Sequence, residues 1–111
     1  MDLTQEKVGA VIILQVKGRI DSSTSPELNK GLMAILEAPK VRLLVDLGQL
    51  EYISSAGFRI LLLAAKRADE KESRLVLCGL SAKVKQFFDL GGFLDLFTVV
   101  GSREEGVAAA G

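Results

Sequence analysis

The sequence predicts an α/β fold, a mixed β-sheet of four to five strands flanked by about four α-helices. Three observations carry that expectation. Short apolar runs at residues 8–16, 41–47 and 74–78 alternate with segments whose apolar residues recur at helical spacing. Serine, glycine and proline punctuate the boundaries between them. The chain has 111 residues, 49% of them hydrophobic and 25% charged, which suits one domain, residues 1–111, with a buried core and a solvated surface.

The elements follow in order. Val11, Ile12, Ile13, Leu14 and Val16 form a mostly β-branched strand that Gly18 ends. A shorter strand at residues 3–6 pairs with it through a turn near Gly9. Asp21-Ser22-Ser23-Thr24-Ser25-Pro26 is turn and cap chemistry, with Ser25 as N-cap and Pro26 at the first helical position. Leu28, Leu32, Ile35 and Leu36 then give one apolar face to a helix over residues 26–37, closed before Pro39. Residues 41–47 read as a strand buried on both faces, and Gly48-Gln49-Leu50-Glu51 as a turn.

A second helix runs over residues 55–71, with Phe58, Leu61, Leu62, Ala65 and Ala68 inward and Arg59, Lys66, Arg67 and Glu70 outward. Residues 74–78 form a third buried strand, ended by Gly79. Ser81 caps a helix over residues 82–90, stopped by Gly91-Gly92. Residues 96–99 make a last short strand. Ser102 and Glu105 have capping-box spacing and start a C-terminal helix. Strands alternating with helices imply a largely parallel sheet, with the opening hairpin as its antiparallel part.

Composition narrows function. Fourteen Lys plus Arg balance fourteen Asp plus Glu, so the excess positive charge needed to grip nucleic acid or an anionic membrane is missing. There is no histidine and one cysteine, Cys78, which removes the usual zinc sites, Ser-His-Asp triads and Cys-His nucleophiles. Cys78 sits in an apolar run and reads as a small buried hydrophobe. With no Walker-type glycine loop and no positioned base, neither an enzyme nor a bound cofactor or metal is expected. No signal peptide or spanning run is visible, and the chain is expected to be soluble and cytoplasmic.

The informative stretch is Tyr52-Ile53-Ser54-Ser55-Ala56-Gly57, between the 41–47 strand and the second helix. A hydroxyl there can cap the helix. It can also carry a phosphate, which the free N–H groups and dipole of a helix start tolerate. Gly57 lets a neighbouring element approach closely. Asp21 and Asp46, each at a strand end, are expected on the same edge, able to orient a hydroxyl or meet a Mg²⁺ held by a partner's nucleotide.

Taken together, Gly18-Arg19-Ile20-Asp21, Leu44-Val45-Asp46-Leu47 and Tyr52-Ile53-Ser54-Ser55-Ala56-Gly57 resemble the STAS domain of bacterial anti-sigma factor antagonists, over about residues 3–107. The resemblance implies a STAS-like sheet and a phosphorylated serine. The family's motif is Asp-Ser-Ser-Gly or Asp-Ser-Ala-Gly. Aligned on Gly57, it puts the phosphoserine at Ser55, with Ser54 replacing the usual aspartate and standing as the alternative modified hydroxyl. It also implies a partner switch. The unmodified antagonist binds an anti-sigma factor that is a serine kinase, phosphorylation releases it, and a PP2C-type phosphatase restores it. Asp21, Asp46, Ser54, Ser55, Ala56, Gly57, Phe58, Arg59 and Leu62 are the expected partner-binding residues, with Phe58 open between core packing and an exposed anchor. The other reading is a non-switching scaffold or transport-accessory module that binds its partner constitutively.

Overall fold

The backbone follows the alternation of the apolar runs. A computed structural model describes residues 1–90 and 96–111. Its elements are β1 (Asp2–Val8), β2 (Val11–Ile20), α1 (Ser25–Ile35), β3 (Arg42–Asp46), β4 (Leu50–Ile53), α2 (Ser55–Glu70), β5 (Arg74–Cys78), α3 (Ala82–Leu90), β6 (Thr98–Val100) and α4 (Arg103–Ala110). The sheet order is β1-β2-β3-β5-β6, and β4 pairs with β2 beside that path. Among the described residues only β1 runs antiparallel to its neighbour, and the other pairings are parallel. The mixed sheet and its four helices agree with the sequence reading. The stop expected at Gly91-Gly92 lies outside the described residues.

Side-chain parity divides the core. Leu43, Val45 and Leu47 face α1, α2 and α3, joining Leu28, Leu32, Leu61, Ala64 and Phe88. Leu44 faces the other way with Val11, Ile13, Val76 and Cys78, under Val107 and Ala110 of α4. β3 is therefore buried on both faces, as a central parallel strand is. Gly106 brings α4 down onto it: a Cβ there would stand 2.5 Å from Leu44 Cδ1.

The differences from the sequence reading have local causes. β2 does not end at Gly18. It continues to Ile20 through Gly18 at φ +102°, and its pairing with β4 shifts register between Gly18 and Arg19, where Glu51 of β4 is the extra, bulged residue. That overhang is what β4 pairs with, so Leu50 and Glu51 belong to a strand rather than to a turn. Ser25 is not the N-cap of α1. Thr24 holds that position, its hydroxyl accepting from Asp21 N–H at 2.9 Å and donating to Arg19 C=O at 3.0 Å, while Ser25 is buried in the first turn. On α2, Ala64 is buried where Leu62 and Ala65 were expected; those two are half-buried. At α4 the expected cap is present: Ser102 Oγ accepts from Glu105 N–H at 3.2 Å and donates to the Glu105 carboxylate.

No helix among the described residues is long and apolar enough to cross a membrane. Leu43 is fully buried at the centre of the larger core. Leu43→Ala is expected to cost about 2–5 kcal/mol in chemical denaturation. A loss below about 1 kcal/mol would contradict this placement of β3.

Candidate functional site

The candidate site is built where β4 turns into α2. Ile20, the last residue of β2, is in register with Ile53, the last of β4. Ser54 N–H then donates to Ile20 C=O at 2.8 Å, fixing the chain as it leaves the strand. Ser54 is extended, at φ −86° and ψ 171°, and its Oγ accepts from Gly57 N–H at 3.2 Å. It is the N-cap, and it occupies one of the donors that a helix start leaves free. A Cβ on Gly57 would fall 2.3 Å from Ile20 Cγ2 and 3.1 Å from Ile53 Cγ1, so only glycine lets the first turn sit this close.

The two serines therefore do different work. Ser54 is half-buried and spent on the cap. Ser55 opens the helix proper, is exposed, and its hydroxyl has no hydrogen-bond partner among the described residues. Three residues on, Phe58 is 5% exposed and packs its ring edge-to-face on Phe88, centroids 4.7 Å apart, with Phe87 and Phe97 also beside it. Phe58 is thus a core residue that anchors this end of α2, the first of its two readings. Ala56 and Leu62 are half-buried and Arg59 is exposed.

The two acids separate. Asp21 follows Ile20 directly and stands next to the Ser54 turn in the chain pairing. Its carboxylate folds onto its own loop, accepting from Ser23 Oγ at 2.6 Å, Ser23 N–H at 2.9 Å and Thr24 N–H at 3.1 Å. The Ser23 hydroxyl and then these amides hold its pKa below the usual carboxylate value.

Asp46 is not on that edge. It ends β3 opposite Gln15, five residues short of Ile20 along β2, or roughly 16 Å at about 3.3 Å per strand residue. Its side chain lies on the α4 face, accepting from Gly48 N–H at 2.9 Å and Arg103 Nε at 3.0 Å. Arg103 also pairs with Glu6 of β1. Asp46 therefore ties β3 to α4 and, through Arg103, to β1. No local signal marked Arg103, because its partner lies 57 residues away. Cys78, beside Asp46 in the sheet register, is buried, and burial followed by the neighbouring carboxylate pushes its thiol up to about 11. It stays a neutral thiol, inert as the sequence suggests.

Chemistry at this edge is that of a surface. Arg19 lies over the Tyr52 ring at 4.4 Å. A recess of about 90 Å³ between β4 and α3, lined by Tyr52, Ile53, Val84 and Phe87, is smaller than the roughly 300 Å³ of small ligand pockets. Among the described residues no cluster of three or more His, Cys, Asp or Glu side chains could hold a metal.

Comparison with known proteins points one way. The family described as Mlab, STAS domain, matches residues 3–100. BtrV of Bordetella bronchiseptica, named provisionally as an anti-sigma factor antagonist, is 39% identical over 109 residues, covering 98% of this chain and 94% of BtrV. The anti-sigma-B factor antagonist of Listeria monocytogenes is 30% identical over 84 residues, 76% of this chain and 74% of that one. The crystal structure of an anti-sigma factor antagonist from Mycobacterium paratuberculosis shares the fold at a TM-score of 0.87 and 21% identity, covering 98% of this chain and 92% of that one.

The division of labour between the serines is measurable. Ser54→Ala is expected to lower stability by about 1 kcal/mol through loss of the cap. Ser55→Ala is expected to stay within about 0.5 kcal/mol of the parent. Equal losses in denaturant titrations would contradict the assignment of the cap to Ser54 alone.

Proposed function

This chain belongs to the STAS-domain family of anti-sigma factor antagonists, and we propose that it acts as the phosphorylatable member of a partner switch. The observation that carries the proposal is the free Ser55 hydroxyl, exposed on a helix start that a neighbouring serine already caps. In the unmodified state the protein binds an anti-sigma factor that is also a serine kinase. Ser55, Ala56, Arg59 and Leu62 form the contact, with Asp21 and Ser54 at its rim. Gly57 and Phe58 shape it from below, and Asp46 stands apart. The chain is ligand and substrate there, and supplies no catalytic group.

The switch itself is a phosphoryl transfer. The kinase moves the γ-phosphoryl group of ATP onto Ser55 Oγ, the hydroxyl proton leaves to a base of the kinase, and ADP departs. The surface then carries about −1.5 to −2 more charge. Burying that charge against a face fitted to a neutral hydroxyl costs desolvation and repulsion, and the complex separates. A PP2C-type phosphatase hydrolyses the phosphoester with water, returning the hydroxyl and inorganic phosphate. These partners place the protein in the cytoplasm, where ATP and the sigma factor are.

Phosphorylation at Ser55 also fits the helix. A phosphate on the first residue of α2 sits at the positive end of its dipole, and α2 has no acid in its first turn to repel it. Modifying Ser54 instead would disturb the oxygen that accepts from Gly57 N–H.

Two measurements test this. After incubation with the cognate kinase and ATP, peptide mapping by mass spectrometry is expected to find one phosphate, on Ser55; a phosphate on Ser54 or elsewhere contradicts the site. Ser55→Asp is expected to weaken binding to that kinase about tenfold or more, or 1.4 kcal/mol. Binding nearly as tight as the parent's would mark a constitutive scaffold or transport-accessory module rather than a switch.

A further inference from the structure

Arg59 stands four residues after Ser55 on α2, one turn further along the same face. Both are exposed. Arg59 makes no ion pair or side-chain hydrogen bond among the described residues. The positions three and four residues from it on the helix are Ser55, Ala56, Leu62 and Leu63, and the first acid of α2 is Asp69. Its guanidinium thus has nothing on its own helix to pair with while Ser55 is unmodified.

The other charges of this edge are already engaged or stand on other elements. Asp21 is folded onto Ser23 and Thr24, and Arg19 lies over Tyr52. Glu51 is exposed on β4, and Lys83 and Lys85 are exposed on α3.

From this spacing we propose that Arg59 is the intramolecular receiver of the Ser55 phosphate. The inference rests on the reading of Ser55 as the modified residue and adds what becomes of the phosphate afterwards. An anion four residues N-terminal to a cation is the favourable order on a helix. The guanidinium fork matches phosphate oxygens with two parallel N–H donors, which a lysine ammonium cannot do. Pairing has two consequences at once. It neutralises part of the new charge locally, and it turns Arg59 away from the surface a partner would meet. Release of the partner then follows from a lost cation as well as from an added anion.

The test needs no kinase. Phosphoserine is incorporated at position 55 during translation, and the phosphorus resonance is followed by NMR against pH. The dianion is the form Arg59 stabilises, so its presence lowers the pH at which the second proton leaves. In Arg59→Gln that midpoint is expected to rise by about 0.2–0.4 pH unit, the size of a helical ion pair. Lys66→Gln, which removes the same charge from the exposed side further along α2, is the control and is expected to move it by less than about 0.1 unit. An unchanged midpoint in Arg59→Gln, or equal shifts in the two variants, overturns the proposal. Either result leaves the phosphorylation of Ser55 itself standing. Failure of a kinase to modify Ser55 would defeat that reading and leave the titration unaffected.

Discussion

The contact of Gly57 with Ile20 sets the position of everything at the candidate site. A methyl group at residue 57 would overlap Ile20 Cγ2 at 2.3 Å, and a β-branched side chain flanked by Ile53 has little room to yield. Because glycine is there, α2 begins directly on the ends of β2 and β4. The Ser54 N–H reaches Ile20 C=O, and the Ser54 hydroxyl reaches back to Gly57 N–H. Phe58 then enters the core and Ser55 is left outside it. The Ser55 hydroxyl, the proposed phosphate acceptor, is in this way held by backbone bonds and packing rather than by bonds of its own.

The sheet's two faces carry different burdens. One is covered by α1, α2 and α3 and supports the Ser55 edge. The other is covered by α4, locked by Arg103 between Asp46 and Glu6. Asp46 is a buried carboxylate, and removal of its partner would leave a charge uncompensated. It belongs to the frame. β3 joins the two halves, since its alternate residues enter both cores, and the Ser55 edge is thereby mounted on a support remote from it.

Most of this was legible in the sequence where chemistry is local. β5 has the bounds its apolar run and Gly79 indicate, α3 starts after Ser81, and α2 starts at Ser55 as its serines indicate. Burial of Cys78 followed from its apolar neighbours. What was not legible depends on register. β4 is four residues long with Glu51 and Tyr52 exposed between buried Leu50 and Ile53, a pattern of neither strand nor helix. It exists because β2 overhangs β3, and that overhang also carries Asp21 away from Asp46. The choice between Ser54 and Ser55 as cap, and between Thr24 and Ser25, turns on a single residue's backbone angles, which composition does not encode.

In the proposed switch a local charge acts on a preformed helix start, with no change of fold. A backbone amide NMR comparison of the unmodified and Ser55-phosphorylated protein decides this. Shift changes confined to the first turns of α2, the end of β4 and the Asp21 loop are the predicted result. Changes spread through β3, β5 and the Asp46–Arg103 lock to α4 would contradict it.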